Sequence, residues 1–367
     1  MRKNHLVYAL LLLFLTFPTD GAARSLTDSI GRANEIPDKV DRVICSGSGC
    51  LRLLTYLQAQ DRIVAVDDIE ARRRKFDARP YAIANPQFKE MPIFGQFRGH
   101  DNPELILTLE KQPQVILKTY SAMGHDPQEL QDKTGIPVVV LNYGDLGKNL
   151  PEMYRSLRIM AKVVGKEQRA EDIINYMDGL IRDLSLRTGD VPGQERSTVY
   201  VGGVAFRGPH GFQSTEPAYP PFTFVNAINL AYEAGEAGKS MTQSDIAKEK
   251  IVEWDPDVLF LDLSTLQMGD DAGGLYELRN DPAYRMLTAV KEGRVYGLLP
   301  YNWYTQNFGS ILANAYFIGT ILYPERFADV DPQAKADEIY SFLVGKPVFK
   351  DMDAQFKGMA YKPVPVN

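Results

Sequence analysis

Short apolar runs recur along the chain, and each one ends at a polar or glycine-rich loop. The runs rich in β-branched and aromatic residues predict buried strands, and they are VDRVICSG, RIVAVD, PQVILKTY, IPVVVLN, STVYVGG, PDVLFLDL and GRVYGLLP. Amphipathic stretches such as CLRLLTYLQA and DPQELQDKTG lie between them and predict helices. Strands that are apolar on both faces and alternate with helices are typical of parallel sheets. The pattern therefore predicts an α/β protein.

One long helical region, residues 148–190, divides these strands into two sets. Asn149 is its predicted N-cap, Pro151 lies in its first turn, and Gly165 interrupts it. After Gly165 an apolar stripe continues for about 20 residues, which would span about 30 Å as an α-helix. Because the region lacks the Gly, Ser and Pro content of a flexible linker, it predicts a stiff bridge. The predicted division is a first lobe at 36–147, the bridge, a second lobe at 195–345 and a C-terminal tail at 346–367.

The first residues predict export. Arg2 and Lys3 precede the apolar run Leu6–Phe17, and the small residues Gly21–Ala23 suit a signal peptidase. The apolar run is too short to be a comfortable membrane span. We therefore expect residues 1–23 to be a cleavable signal peptide.

The net charge limits the classes of binding partner, and the cysteine content limits the role of disulfides. The formal net charge of −6 gives no electrostatic basis for binding nucleic acid or an anionic membrane. The chain has two cysteines, Cys45 and Cys50, so disulfides do not carry the fold. The pair could form a small disulfide in an oxidising compartment, remain as two buried thiols, or bind a metal.

Motifs for catalysis are absent from the sequence. After the signal peptide the histidines are His100, His125 and His210, and nothing matches a nucleophile elbow, an HExxH helix or a phosphate loop. We therefore expect a protein that is not an enzyme and has no intrinsic cofactor.

Several segments together resemble the periplasmic substrate-binding proteins of ABC importers for iron–siderophores and cobalamin. The markers, over residues 36–327, are PDKVDRVICSGSGCLRLLTYLQAQDRIVAVD, ELILTLEKQPQVIL, TGIPVVVLN, the long helix and EKIVEWDPDVLFLD. The resemblance implies two Rossmann-like lobes with parallel sheets, joined by a long rigid helix, with the ligand in the cleft between them. It implies a periplasmic carrier, here expected to be a monomer, that delivers its ligand to the permease dimer of an importer. Permease docking in this family uses one exposed Glu on each lobe, which places the predicted contacts at Glu90 and at Glu233, with Glu236 as a neighbour of the second.

The ligand site is predicted from the ends of the strands, because ligands of doubly wound sheets lie beyond the carboxyl ends. After the first strand, CSGSGC is either an anion-holding helix start or a simple tight turn. The loop GGVAFRGPHGF follows the first strand of the second lobe, so it would face CSGSGC across the cleft. The predicted ligand-binding residues are Ser46, Ser48, Arg98, His100, Tyr120, Phe206, Arg207, His210, Tyr301, Trp303 and Tyr304.

Aromatic faces combined with a few basic groups suit a bulky, aryl-bearing, anionic metal chelate. The first hypothesis is therefore a receptor for an iron(III)–siderophore or a related chelate, with cobalamin and haem as variants. The alternative within the same fold family is a molybdate or tungstate receptor, since a small oxyanion needs only hydrogen-bond donors. A third hypothesis, from another class, is a redox protein or metal chaperone that uses Cys45 and Cys50.

Overall fold

The computed structural model describes residues 23–72, 75–233 and 243–366. The predicted signal peptide up to residue 22, and Glu236, lie outside the described residues. Within the described ranges, no helix is both long enough and apolar enough to cross a membrane.

The first lobe is a parallel sheet flanked by short helices. Its strands are β1 (Ala23–Thr27), β2 (Ala33–Pro37), β3 (Val43–Ser46), β4 (Ile63–Asp67), β5 (Ile93–Gln96), β6 (His100–Asp101), β7 (Val115–Thr119) and β8 (Val138–Leu141). Its helices are α1 (Cys50–Tyr56), α2 (Asp68–Ala71), α3 (Pro80–Ala84), α4 (Pro103–Thr108) and α5 (Pro127–Thr134), with 3₁₀ turns at Gln60–Arg62 and Pro86–Glu90.

The main sheet has the strand order β6–β5–β4–β3–β7–β8, in which the β5–β6 pair is antiparallel and the other pairs are parallel. Strands β3, β7 and β8 are buried along their whole length, as their continuous apolar sequences predict. The β1–β2 hairpin is antiparallel, and the amide of Ser29 in its turn donates to the carbonyl of Val140 on β8 at 2.9 Å.

The predicted bridge is two helices, α6 (Leu150–Val164) and α7 (Glu167–Thr188), that pack as an antiparallel hairpin. Gly165 ends α6 in the left-handed conformation with φ 59°, as predicted. Asn149 occupies the N-cap, but its side chain bonds Asp145 instead of capping the helix. The 22 residues of α7 span about 33 Å. Arg169 on α7 donates to carbonyls of Tyr56 and Phe342, which ties the helix to both α1 and the C-terminal region.

The second lobe has a smaller parallel sheet in the order β11–β9–β13–β14, and β10 pairs with β12 in a two-stranded antiparallel sheet. The strands are β9 (Thr198–Gly202), β10 (Ser214–Thr215), β11 (Ile228–Asn229), β12 (Ser244–Asp245), β13 (Val258–Asp262) and β14 (Val295–Leu298). The helices are α8 (Pro220–Phe224), α9 (Leu230–Glu233), α10 (Lys248–Trp254), α11 (Gly274–Asn280), α12 (Thr288–Lys291), α13 (Phe308–Leu322), α14 (Pro332–Val344) and α15 (Phe349–Gln355). Three 3₁₀ turns complete it, at Gly193–Glu195, Leu263–Met268 and Tyr284–Met286.

The C-terminal helices pack against the first lobe as well as the second. Helix α14 packs on α13 and also on α1 and α3, and α15 packs on α3. The ring of Phe356 lies 5.6 Å from that of Phe76, and the side chain of Gln355 accepts from the amide of Asp77 at 2.7 Å. One hydrophobic core therefore runs continuously through both lobes.

A buried carboxyl group lies in the core of the second lobe. Glu216 is 4% exposed, and its carboxylate accepts a hydrogen bond from the hydroxyl of Tyr301. Burial raises the pKa of the Glu216 carboxyl to about 8, although the bond from Tyr301 works in the opposite direction. The folded protein therefore holds a proton here that the unfolded chain releases at much lower pH.

Substituting the two glycines of the helical hairpin should have opposite effects. Gly165 has a positive φ, so Gly165→Ala should lower the free energy of unfolding by about 1–2 kcal/mol. Gly179 is exposed within α7 and has open space at its Cβ position, so Gly179→Ala should raise it by about 0.5–1 kcal/mol. Urea denaturation of both variants checks the pair, and equal effects of one sign would contradict the bridge geometry.

The stability of the protein should fall as pH rises from about 4.5 to about 8, because in this window the unfolded chain has already lost the Glu216 proton whereas the folded chain still holds it. One such group contributes at most about 1.4 kcal/mol per pH unit. Denaturation midpoints measured from pH 5 to 8 should show a smaller decline in Glu216→Gln. Tyr301→Phe is the matched control, because it removes the hydrogen bond but keeps the carboxyl and therefore the decline. An identical decline in wild type and Glu216→Gln would contradict the assignment.

Candidate ligand-binding cleft

A cavity of about 450 Å³ lies between the two lobes, and residues from both lobes line it. Its walls come from the loops that follow the strands at their carboxyl ends, as the strand-end rule predicts. The first lobe contributes Ser48, Ile69, Phe97, Arg98, Tyr120 and Met123. The second contributes Ala205, Arg207, Gly208, Gln267, Asn302, Trp303, Tyr304 and Thr305.

Two arginines, one from each lobe, carry the only charges on this wall among the described lining residues. The guanidinium carbon of Arg98 lies 5.1 Å from the ring centroid of Phe97, and that of Arg207 lies 5.3 Å from the centroid of Phe206. Within the described ranges neither guanidinium has a carboxylate partner. The aromatic rings hold these cations without neutralising them, which leaves the cavity positive.

A carboxyl group behind the wall does not offset that charge. The hydroxyl of Tyr304 donates to Asp67 at 2.5 Å and accepts from the amide of Arg98 at 3.1 Å. Burial, reinforced by the neighbouring Glu70, raises the pKa of Asp67 to about 8. Asp67 is therefore protonated at neutral pH, and the cavity keeps its positive potential.

The cavity is built from strained backbone. Ten non-glycine residues of the described chain have positive φ, and five of them line the cavity. L-residues rarely adopt this conformation, and such strain persists only where surrounding contacts enforce it. The five are Arg98, Tyr120, Arg207, Tyr304 and Thr305, with φ between 52° and 64°.

The loop 301–307 of the second lobe is held from the first lobe by Arg52. The guanidinium of Arg52 is fully buried, and it donates to the carbonyls of Gln306 at 2.8 Å, Trp303 at 3.1 Å and Tyr304 at 3.1 Å. It also bonds the hydroxyl of Tyr143. The side chains of this loop contribute to the cavity wall while its carbonyls converge on one cation.

Aromatic stacking extends this contact. The hydroxyls of Tyr120 and Thr305 lie 2.7 Å apart across the cleft. The ring of Tyr120 stacks on Tyr143 at 5.8 Å, and Tyr143 stacks on Phe308 at 5.0 Å. The two lobes therefore share an aromatic column directly below the cavity.

The structure brings most of the predicted ligand-binding residues to the cleft. Six of them line the 450 Å³ cavity, and Phe206 lines an adjoining cavity of about 680 Å³, which Tyr120 also borders. The six are Ser48, Arg98, Tyr120, Arg207, Trp303 and Tyr304. Their role as ligand contacts stays a prediction.

Two of the predicted residues are buried away from the cavity. Ser46 has no exposed surface, and its hydroxyl donates to Asp101 at 2.9 Å. Tyr301 is 1% exposed, because its ring enters the core of the second lobe to reach Glu216. Sequence position alone could not separate them from neighbours that face the cleft.

The two predicted histidines are also outside the lining of the cavity. His100 is exposed on β6, where it pairs with Gln96. His210 has its Nε2 atom 2.7 Å from the carbonyl of Phe206, so it braces the loop that carries Arg207. His210 therefore contacts the backbone of this loop and does not line the cavity.

The segment CSGSGC is a close-packed turn. A Cβ atom at Gly49 would lie 2.2 Å from the ring of Tyr143 and 2.7 Å from the methyl group of Thr305, so only glycine fits there. The amide of Cys50 already donates to the carbonyl of Gly47 at 3.3 Å. The geometry favours the tight-turn interpretation over the anion-holding one.

The cysteines are two buried free thiols. Cys50 donates to the carbonyl of Leu117 at 3.3 Å, and burial raises the pKa of the Cys45 thiol well above its usual range. Thiolate formation at Cys45 is thus unfavourable, which argues against redox or metal chemistry that needs this thiol. Among the described residues, no three or more His, Cys, Asp or Glu side chains cluster closely enough to hold a metal ion.

The predicted docking glutamates lie on different lobes. Glu90 is exposed at the end of the 3₁₀ turn Pro86–Glu90, and Glu233 is the last residue of α9. Both remain predictions.

Several lining residues were not predicted individually. Met123, Gln267, Asn302 and Thr305 lie in segments that follow predicted strands, so the strand-end rule reaches their loops. Phe97 follows β5, which was not among the predicted strands. Arg52 and Asp67 gave no comparable signal, because their partners are more than 200 residues away in the sequence.

Comparisons with known proteins agree with this architecture. The molybdate-binding protein MolA of Haemophilus influenzae is 24% identical over 361 residues, covering 93% of this chain and 96% of MolA. An iron-uptake system-binding protein of Bacillus subtilis is 25% identical over 195 residues, which is 53% of this chain and 57% of that protein.

Solved structures extend the likeness. MolA bound to molybdate gives a TM-score of 0.65 at 20% identity, covering 88% of this chain and 98% of that chain. A periplasmic solute-binding protein from Veillonella parvula gives a TM-score of 0.69 at 16% identity, covering 92% and 97%. A family model described as periplasmic binding protein matches residues 43–301, which include both sheets and the helical hairpin between them. The chain belongs to the periplasmic binding protein family.

Proposed function

We propose that this periplasmic binding protein of an ABC importer captures an anionic metal chelate, of the iron(III)–siderophore class, in the cavity between its lobes. The observation that carries the proposal is the pair Arg98 and Arg207, which approach one cavity from opposite lobes without a carboxylate on its wall. Guanidinium groups bind carboxylate and catecholate oxygens through two parallel hydrogen bonds. A ligand that bridges both arginines would also bridge both lobes.

The size of the cavity favours a chelate over a bare oxyanion. An oxyanion with four oxygens fills about 120 Å³, taking about 30 Å³ for each oxygen by analogy with water. The cavity of about 450 Å³ is several times larger and lies in the range of sites for larger organic ligands. The additional space is walled by Phe97, Tyr120, Trp303 and Tyr304, which offer ring faces and edges to aryl groups.

Molybdate is the second candidate, and a specific observation favours it. The relative that spans 93% of this chain is named for molybdate binding. The wall also has small polar groups at Ser48, Gln267, Asn302 and Thr305 that suit a hydrogen-bonded oxyanion. Both candidates are anions, so both depend on the arginine pair.

Delivery to the importer follows from the family, and the docking contacts are a separate part of the proposal. We assign them to Glu90 and Glu233, one on each lobe, for arginines of the permease. This assignment rests on the exposure of Glu90 and on the resemblance of the sequence.

Titration of the purified mature protein tests the ligand class. Iron(III) tris(catecholate) should quench Trp and Tyr fluorescence at micromolar concentrations or lower, because Trp303, Tyr304 and Tyr120 line the cavity. Sodium molybdate is titrated in parallel as the small oxyanion of the second candidate. A response to molybdate without any response to the chelate would favour the second candidate, and no response to either anion would contradict the proposal. Elemental analysis of protein from its native periplasm provides an independent measurement of Fe against Mo.

Removing either arginine should weaken binding of whichever anion responds. Arg98→Ala and Arg207→Ala should each lower affinity about tenfold or more, since a hydrogen bond to a charged group contributes about 1.5–3 kcal/mol. Isothermal titration calorimetry measures the change. Arg158→Ala is the control, because Arg158 pairs with Glu171 on the exposed face of the helical hairpin, and it should change affinity less than twofold. Equal losses in all three variants would contradict the assignment.

A further inference from the structure

A buried ion pair lies directly beneath the turn that carries Arg98. The side chains of Lys118 and Asp101 have no exposed surface, and their charged atoms are 2.7 Å apart. Lys118 is the fourth residue of β7, next to β3 at the centre of the sheet, and Asp101 ends β6 at its edge. Two strands that are not neighbours in the sheet therefore meet at this ion pair.

The ammonium group of Lys118 is fully occupied. It donates to Asp101, to the hydroxyl of Ser46 at 3.0 Å and to the carbonyl of Gly99 at 3.1 Å. A buried ammonium has three donors and needs three acceptors, so this arrangement satisfies it completely. Ser46, which the sequence suggested as a ligand contact, serves as one of these acceptors.

The bond to Gly99 fixes the turn between β5 and β6. Strand residues Gln96 and His100 pair with each other, so Phe97, Arg98 and Gly99 form the connecting turn. Arg98 and Gly99 are both left-handed, with φ of 62° and 75°. A Cβ atom at Gly99 would lie 2.8 Å from the Lys118 nitrogen, which shows how closely the ammonium fits under the turn.

A second contact holds the same carbonyl from the other side. The amide of His125 donates to the carbonyl of Gly99 at 2.9 Å. The two donors together set the direction of the Gly99–His100 peptide, one residue beyond Arg98. They thereby hold the end of the turn whose strained conformation places the Arg98 guanidinium at the cavity wall.

We propose that Lys118 and Asp101 form a positioning pair for Arg98, which sets anion affinity without touching the ligand. The inference rests on the proposed function, in which Arg98 binds the anion. A buried ammonium whose three donors are all bonded holds its acceptors in place, whereas a surface lysine would leave the turn free to relax. The pair acts on Arg98 alone and not on Arg207, which belongs to the other lobe.

The test combines a variant that removes both charges of the pair with variants of the two arginines. Removing both charges leaves no unpaired buried charge. Lys118→Met combined with Asp101→Asn removes both charges together, so the fold is kept. Binding of iron(III) tris(catecholate) and of sodium molybdate is measured by calorimetry. The combined variant should bind the responding anion about tenfold more weakly than wild type.

Arg98→Ala and Arg207→Ala serve as the two backgrounds. If the pair positions Arg98, its removal should change affinity less than twofold in Arg98→Ala and about tenfold again in Arg207→Ala. A role confined to general stability would weaken binding equally in both backgrounds, and that result would overturn the proposal.

Hydrogen exchange tests the positioning pair independently of whether the protein binds an anion. Amides of residues 97–100 should exchange faster in the combined variant without ligand, whereas amides of β9 should be unchanged. If wild type binds neither anion, the proposed function fails, and the exchange result alone decides whether the pair holds the turn. Unchanged exchange at residues 97–100 would overturn the proposal in either case.

Discussion

The buried guanidinium of Arg52 is the contact on which the cleft depends. It comes from the first helix of the first lobe and bonds three carbonyls of the loop 301–307, which belongs to the second lobe. A buried cation cannot be left without acceptors, since losing its partners costs about 3–5 kcal/mol. The loop must therefore turn its carbonyls inward, and two of its residues adopt positive φ as a result. One charge thus joins the lobes and shapes the cavity wall.

The electrostatics of the cavity follow from what surrounds it. Asp67 lies close to the wall, but burial keeps it protonated and bonded to Tyr304, so it adds no negative charge at neutral pH. The charges of Arg98 and Arg207 are not offset at the wall, because aromatic rings lie beside them and no carboxylate is among the described lining residues. A cavity whose wall is already ordered would lose little conformational entropy on binding a ligand.

Sequence patterns predicted the fold well, because its strands and helix ends are marked by residues close together in the sequence. Each of the seven apolar runs forms a strand of one of the two parallel sheets, and Gly165 ends its helix as expected. The site was predictable as loops, since the ends of parallel strands meet at one edge. It was not predictable residue by residue: Ser46 and Ser48 are two positions apart, yet one supports Lys118 and the other lines the cavity. The sequence did not predict the β5–β6 hairpin that presents Arg98, because its strands are too short to show a periodic pattern of apolar and polar residues.

The return of the C-terminal helices to the first lobe constrains the order in which the chain can complete its fold. Phe356 and Gln355 contact Phe76 and Asp77, nearly 280 residues earlier. The first lobe is thus synthesised before the helices that complete its packing, so its apolar surface stays open until the last segment arrives. The earliest part of the fold is finished by the latest part of the chain.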